Sequence, residues 1–429
     1  MSRFTPFSLP ETLQLGCATA AAQIEGGDKN NSWYAWAQVA GRIKDGSSPI
    51  RANHHWELYR DDLRLMSELG IKHYRFGIEW SRIEPSEGVF DDSAMEHYRA
   101  EIALMIDLGI RPLVTLHHFS NPLWFEESGA FETKKCIPLF RRYVQYAVSH
   151  LQDLCTDFVT INEPNIYATN GYVYGTWPPG KKSISAAMKV MGNLALCHIH
   201  AYKDIHAIFG ERDIRVGFAN HLRVFVPYGK NPLYTLQARI LAYLFQDAIT
   251  KAMATGKFSF PIGIGTPLGS GRYYDYIGIN YYSRSAIRNF AEKVLPNRPL
   301  NDLGWDIYPE GLSILCKEQY MKYHAPIWIT ENGTCDKNDR FRTAYIYDHL
   351  RQITDENLPV ERYYHWTFMD NFEWAEGEIA PFGLIQCNFD TQERTIRQSG
   401  RFYRDLIQNR RVSPEMIRRY LDNSSDVNT

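Results

Sequence analysis

Short apolar segments rich in β-branched residues alternate along the chain with longer segments whose apolar residues recur every three or four positions. The first kind predicts buried strands, and the second predicts amphipathic helices. Eight strands are predicted, over residues 13–20, 72–80, 111–118, 157–164, 214–221, 276–283, 326–333 and 360–368. Helices are predicted between or after several of them, over residues 57–69, 92–108, 138–154, 186–209 and 399–409.

The number and order of these elements favour one closed barrel. Strands that alternate with helices are typical of a parallel sheet, and eight such strands close into a barrel filled with side chains. No Pro- or Ser-rich linker and no shift in composition divides the chain. We therefore expect one α/β domain over residues 1–429, a (β/α)8 TIM barrel, with a frayed tail over about residues 422–429.

Charge and composition argue against several classes of protein. The 47 Lys and Arg nearly balance the 49 Asp and Glu, so no excess positive charge favours nucleic acid. The apolar runs are far shorter than the roughly 20 residues that a membrane span needs. The seven cysteines contain no CxxC pair, and the first residues lack the apolar run of a secretory signal. We expect a cytoplasmic protein that binds neither nucleic acid nor membranes.

Polar and aromatic side chains follow the predicted strands at their C-terminal ends, where a barrel of this kind builds its active site. Two of them, Glu163 and Glu331, each follow an apolar β-branched run. They belong to the fourth and seventh strands, which lie across the barrel mouth from each other. Cleavage of a glycosidic bond needs two such carboxyl groups, one protonated and one ionised.

The neighbours of this pair favour different protonation states for its two members. Arg75 and Tyr282 are placed to favour the charged form of Glu331, whose negative charge then disfavours ionisation of Glu163. Asn280 belongs to the same group of supporting residues on the sixth strand.

His117 and His118 raise the alternative of a metal site. Adjacent residues on a strand point to opposite faces, and no HExxH motif or facing carboxylate cluster accompanies them. We therefore expect no metal, with His118 donating a hydrogen bond to a sugar hydroxyl. Trp366 and Trp374 favour a pocket in which an aromatic ring stacks on a sugar.

Seven motifs, taken together, resemble glycoside hydrolase family 1, the β-glucosidase/β-galactosidase family, and the similarity extends over about residues 9–408. They are ATAAAQIEGG (18–27), YRFGIEWSRIEP (74–85), TLHH (115–118), TINEP (160–164), GINYY (278–282), ITENG (329–333) and WTFMDNFEWAEG (366–377). The resemblance implies a retaining mechanism with Glu163 as acid/base and Glu331 as nucleophile, and no metal or organic cofactor. It also implies that the sugar is held by Gln23, His118, Asn162, Glu373 and Trp374, above Trp366 as a stacking floor.

The chain departs from the family pattern near the expected pocket entrance. Phe119 stands where many members have Trp, and Asn165 follows the NEP motif where many bacterial members have Trp. The loop after ITENG is short. These departures leave the preference for the leaving group open, while the chemistry is unaffected.

The expected activity is that of a retaining exo-β-glycosidase. It would remove a terminal β-linked glucose, or galactose or fucose, from short glycosides. A transglycosylase with the same glycosyl-enzyme is the first alternative. An inactive sugar-binding scaffold is the second, although such a relative is expected to lose one of the two glutamates. A metal hydrolase on the same barrel is the third, and it predicts inhibition by chelators.

Overall fold

Eight parallel strands form a closed barrel in the structure, a computed structural model that describes residues 2–422. They are β1 (Gln14–Ala18), β2 (His73–Gly77), β3 (Arg111–Thr115), β4 (Asp157–Asn162), β5 (Arg215–His221), β6 (Ile277–Asn280), β7 (Ile327–Asn332) and β8 (Val360–Trp366). Each strand pairs with the next along the chain, and β8 pairs with β1 to close the barrel. The predicted fold is confirmed, with most strands ending earlier than predicted.

A helix follows each strand before the next one begins, or, after β8, before the chain ends. These helices are α1 (His55–Glu68), α2 (Asp92–Asp107), α3 (Cys136–Leu151), α4 (Ile184–Phe209), α5 (Ala248–Thr255), α6 (Glu310–Tyr323), α7 (Arg342–Asp355) and α8 (Gln398–Asn409). Local signals set several of their ends. Asp91 and Ser183 cap α2 and α4 by accepting hydrogen bonds from backbone N–H groups, and Gly210 ends α4 with a φ of 63°.

Shorter elements occupy the connections. The helical ones are Ala21–Ile24, Ser32–Ala37, Trp80–Ile83, Leu123–Glu127, Ala130–Glu132, Pro164–Ala168, Thr169–Tyr174, Pro232–Ala242, Tyr243–Asp247, Trp374–Glu376, Pro414–Met416 and Ile417–Leu421. Three strands, Val224–Pro227, Arg284–Arg288 and Ala291–Lys293, form a small sheet beside the barrel. Phe7–Ser8 pairs with Arg411–Val412, and Ile385–Cys387 pairs with Arg394–Ile396.

Burial on both faces explains why the barrel strands appear as continuous apolar runs. Leu113 and Val114 of β3, for example, have no exposed surface. Towards the C-terminal ends of the strands the buried residues become polar, and Arg75 and Asn162 are also fully buried. A buried guanidinium is tolerated only with hydrogen-bonded partners of suitable charge. The partners of Arg75 define the candidate active site.

Three further expectations concern membranes, the cysteines and the C-terminal tail. Within residues 2–422, no helix combines the length and apolar character that crossing a membrane requires. All seven cysteines are buried and none forms a disulfide. The predicted frayed tail lies outside the described residues, apart from Asp422.

Candidate active site

Glu163 and Glu331 lie at the ends of β4 and β7, where regular strand pairing is interrupted. Glu163 follows β4 directly with a left-handed backbone (φ 41°), and Glu331 is the penultimate residue of β7. The register of both strands against their neighbours shifts at these points, which indicates local bulges. Bulges re-aim side chains at barrel rims. Both residues are nearly buried, with 5% and 3% of their surface exposed.

Arg75 of β2 connects the two glutamates through a chain of hydrogen bonds. Its Nη1 donates to Glu331 Oε1 at 2.5 Å, and its Nη2 donates to Asn162 Oδ1 at 2.6 Å. Asn280 Nδ2 donates to the same Asn162 oxygen at 3.0 Å and to Glu163 Oε1 at 2.9 Å. The predicted residues from β2, β4, β6 and β7 therefore form one connected group across the barrel mouth.

Both oxygens of Glu331 accept hydrogen bonds, because Tyr282 Oη donates to Oε2 at 2.6 Å. Burial raises the pKa of Glu331 to about 7, while Arg75 lowers it, a negative charge on Glu163 raises it and Tyr282 lowers it. When Glu163 carries a proton, the repulsion between the two acids is absent and Glu331 ionises more readily. The hydrogen bonds from Arg75 and Tyr282 thus stabilise the charged form of Glu331 against the effect of its burial.

Glu163 has an asymmetric environment. Its Oε1 accepts from Asn280 and lies 3.0 Å from His221 Nδ1, whereas no side chain or backbone group within residues 2–422 donates to Oε2. Oε2 is therefore the oxygen on which a proton is most stable. The expected support of Glu331 by Asn280 is wrong: Asn280 Oδ1 accepts from Thr330 Oγ1 at 2.6 Å, which turns its amide nitrogen towards Glu163 instead.

His118 presents an unpaired donor in this site. Asn162 Oδ1 is already occupied by two donors, so its Nδ2 is the group that donates to His118 Nε2 at 2.9 Å. The ring proton of His118 therefore lies on Nδ1, which is buried and has no partner among the described residues. Burial holds the pKa of His118 well below its usual value, so the ring is neutral. Its Nδ1–H is available to a ligand hydroxyl.

Gln23 and Glu373 provide further polar groups. Gln23 Nε2 donates to Glu373 Oε2 at 3.2 Å and to the carbonyl oxygen of Phe372 at 2.9 Å. The Oε1 of Gln23 is buried and has no partner in the described part of the chain. Burial raises the pKa of Glu373 to about 8 in spite of the contact with Gln23. The raised pKa favours the protonated form of this carboxyl group, which can donate as well as accept a hydrogen bond.

Aromatic rings surround these polar groups. The rings of Trp366 and Trp374 lie 5.7 and 5.8 Å from the ring of His118, inclined to it by less than 30°. Phe119 packs against Trp374 at 5.2 Å and against Trp177 at 4.9 Å. Phe119 and Trp374 both have positive φ angles, 66° and 50°. Such conformations cost about 1–3 kcal/mol each and are concentrated at functional sites.

Gly333 allows β7 and β8 to approach each other beside the site. A Cβ atom at this position would lie 1.7 Å from the carbonyl oxygen of Trp366, so no side chain fits. The glycine of the ITENG motif therefore has a steric function, because it lets the strand end that carries Glu331 lie against Trp366.

Comparison with known proteins agrees with this geometry. The family model described as "Glycosyl hydrolase family 1" matches residues 6–262 and 272–412. The chain belongs to glycosyl hydrolase family 1. The predicted resemblance is confirmed, and the chain is a glycoside hydrolase.

Relatives in this family cover nearly the whole chain. Beta-glucosidase A of Acetivibrio thermocellus is 31% identical, covering 95% of this chain and 99% of that protein. A beta-galactosidase of Pyrococcus woesei is 27% identical, with coverages of 95% and 99%. The structure of a beta-glycosidase from Pyrococcus horikoshii matches with a TM-score of 0.89 at 34% identity, covering 97% of this chain and 98% of that one.

Residues outside the predicted set also belong to this family 1 site. Thr115 Oγ1 accepts from Arg75 Nε at 3.1 Å, and His221 at the end of β5 contacts Glu163. Both residues are the last of their strands, so their positions in the sequence could have identified them. Asn165, which departs from the common family pattern, is buried, and its Nδ2 donates to the carbonyl oxygen of His221 at 2.7 Å. It supports the end of β5.

Two other buried carboxylates, in the segments that follow the first two strands, form a separate cluster. Glu25 accepts from Arg82 Nε at 2.7 Å, and Glu79 accepts from Ser81 Oγ at 3.0 Å. Burial, together with the negative charges of Asp28 and Glu25, raises the pKa of Glu79 to about 8. In the described part of the chain, no group of three or more His, Cys, Asp or Glu residues is arranged to hold a metal ion.

Replacing Glu79 by glutamine is expected to stabilise the protein at alkaline pH. The unfolded chain ionises this carboxyl group near pH 4.5 and the folded chain near pH 8, so Glu79 costs stability increasingly as the pH rises between these values. We expect Glu79→Gln to increase the free energy of unfolding by about 5 kcal/mol at pH 9. The gain should vanish near pH 4.

Chemical denaturation at pH 4, 7 and 9 checks this prediction. Glu57→Gln, at a largely exposed position on α1, is the matched control and should change stability little at any pH. An equal gain at all three pH values would show that ionisation of Glu79 is not the cause.

Proposed function

We propose that the chain is a retaining exo-β-glycosidase that removes a terminal, nonreducing β-linked sugar from short glycosides by double displacement. The supporting observation is a pair of buried carboxyl groups with different surroundings: Glu331 accepts hydrogen bonds on both oxygens, and Glu163 accepts on one. Relatives named beta-glucosidase and beta-galactosidase support glucose or galactose as the sugar, with fucose as a further candidate.

In the first step, a carboxylate oxygen of Glu331 attacks the anomeric carbon while the bond to the leaving oxygen breaks. Glu163 transfers its proton from Oε2 to that oxygen, which departs as an alcohol. Arg75 and Tyr282 hold Glu331 in place for the attack and balance its charge before the bond forms. The product of this step is a covalent glycosyl-enzyme.

In the second step, water attacks the same carbon and the bond to Glu331 breaks. Glu163, now ionised, takes a proton from the water. Two inversions at one carbon return a sugar with its original β configuration. An added alcohol or sugar in place of water gives transglycosylation by the same route.

The remaining predicted residues hold the sugar in this proposal. The Nδ1–H of His118 and the Oε1 of Gln23 are buried groups without partners in the described chain, so each is available to a hydroxyl group. Glu373 is placed to donate or accept, and Trp366 forms the floor on which the sugar ring stacks. The remaining contacts are assigned to Asn162 and Trp374.

Proton NMR of the reaction mixture tests the proposal. With 4-nitrophenyl β-glucoside, the β-anomer of the free sugar should appear first and the α-anomer only later, by mutarotation. Initial appearance of the α-anomer would overturn the retaining mechanism. Rates across 4-nitrophenyl glucoside, galactoside and fucoside identify the preferred sugar, and the same reaction with an added acceptor measures transglycosylation.

Three further properties complete the proposal. All seven cysteines are reduced and buried, which supports a cytoplasmic location. One domain over residues 1–429 carries the activity. The steps above use only side chains of this chain, so activity should survive a metal chelator.

A further inference from the structure

We propose that His221 is a positioning residue that keeps the proton of Glu163 on Oε2, and that Arg223 sets the tautomer of His221. This inference rests on the proposed function, in which Glu163 acts first as the acid and then as the base. His221 ends β5 and belongs to none of the sequence motifs of the family resemblance. Its role follows from the contacts of its two ring nitrogens.

The donors around His221 determine where its proton lies. Arg223 Nε lies 2.9 Å from His221 Nε2, and a guanidinium can only donate a hydrogen bond. His221 Nε2 is therefore the acceptor, and the ring is neutral with its proton on Nδ1. That nitrogen lies 3.0 Å from Glu163 Oε1, so His221 donates to the carboxylate.

This arrangement distinguishes the two oxygens of Glu163. Oε1 accepts from His221 and from Asn280, and two donors leave no room for a proton there. The proton is confined to Oε2, which no group of the described chain occupies. The same two donors stabilise the carboxylate that must exist between the two steps of the reaction.

Neighbouring groups hold His221 in this orientation. Arg223 Nη1 donates to Glu292 Oε1 at 2.9 Å, and Glu292 also accepts from Ser285 Oγ at 2.5 Å. Asn165 holds the backbone carbonyl of His221. The ring of Tyr282 stacks on the imidazole at 5.7 Å with an inclination of 14°. These contacts thus connect half-exposed Glu292 on the small sheet, through Arg223 and His221, to the buried Glu163.

Several titratable or charged groups face Glu163 and His221 from the surrounding elements. They are Arg75 of β2, Arg223 after β5, Tyr282 after β6, Glu292 of the small sheet, Glu331 of β7 and Glu373 after β8. Burial lowers the pKa of His221, and Arg223 lowers it further, while Glu163 and Glu292 oppose them. The net shift is downward, which favours the neutral ring that the contact with Arg223 requires.

The pH profile of kcat/KM tests the proposal with two variants of His221. His221→Leu removes the donor to Oε1, so we expect the alkaline limb of the profile to move up by about one pH unit. His221→Asn places an amide N–H where Nδ1 was, so we expect it to keep the limb within a few tenths of a unit of the native position. His206→Asn, which removes a histidine–carboxylate contact on the outer helix α4, is the control and should leave the limb unchanged.

The outcomes separate this proposal from the proposed function. Glu163→Gln should abolish the alkaline limb; if that limb persists, the assignment of Glu163 as the acid is overturned. If Glu163→Gln abolishes the limb but His221→Leu leaves it in place, the role of His221 is overturned. An equal shift in His221→Leu and His221→Asn would also contradict it, because only one of them lacks the donor.

A spectroscopic measurement on the native protein needs a folded variant only to assign the signals. Nitrogen-15 NMR of the histidine side chains, with the His221 signals assigned by their loss in His221→Asn, reports the tautomer directly. We expect a neutral ring protonated on Nδ1 from pH 5.5 to pH 8. A ring protonated on Nε2, or on both nitrogens, in this range would contradict the proposal.

Discussion

Replacing Glu331 by glutamine is expected to lower kcat/KM on an aryl β-glucoside by about 10⁴-fold or more, the scale of loss seen when a nucleophile is removed. The amide of glutamine cannot form the ester to the anomeric carbon. It also leaves the guanidinium of Arg75 buried without its anionic partner. The loss should be similar for good and poor leaving groups, because the attack is required with both.

Initial rates on 2,4-dinitrophenyl and phenyl β-glucosides check this expectation. Glu361→Gln, at an exposed position of β8, is the matched control and should retain native activity. Near-native turnover by Glu331→Gln on either substrate would remove this residue from the chemistry.

Glu163→Gln is expected to show a loss that depends on the leaving group. With phenyl β-glucoside the departing oxygen needs a proton, so kcat/KM should fall by about 10²- to 10⁴-fold. With 2,4-dinitrophenyl β-glucoside it leaves without one, and kcat/KM should stay within about tenfold of the native value. The kcat on that substrate should still be low, because in the second step no carboxylate at position 163 takes the proton from the attacking water.

Added azide distinguishes the two roles of Glu163, because this anion attacks without a base. Azide should accelerate turnover of the dinitrophenyl substrate by Glu163→Gln and should have little effect on the native enzyme. Equal losses in kcat/KM on both substrates, with no effect of azide, would contradict the acid/base assignment.

The barrel was predictable because its signals are local. Most strands are short apolar runs between turn residues, and stops such as Gly70 and Gly210 follow the helices. Strand ends were less predictable, since the bulges at Glu163 and Glu331 depend on pairing with strands far away in the sequence. The sequence predicted no strand or helix over residues 223–275, which contain the strand Val224–Pro227 and three helical segments.

The site was predictable as a set of residues and less so as a set of contacts. Strand-end positions and motifs identified Arg75, Glu163 and Glu331. They did not show that the Asn280 amide turns to Glu163, because that depends on Thr330 from the neighbouring strand. Nor did they show that burial raises the pKa of Glu331 to about 7 against the effect of Arg75, because the depth of the site is a property of the folded chain.

Trapping of the glycosyl-enzyme tests the central claim most directly. A 2-deoxy-2-fluoro-β-glucoside with a dinitrophenyl leaving group slows both steps, but the reactive leaving group lets the first proceed. After digestion, mass spectrometry should find one fluoroglucosyl group on the peptide that contains Glu331, attached to that side chain. An adduct on any other residue, or inactivation without a covalent adduct, would contradict the mechanism.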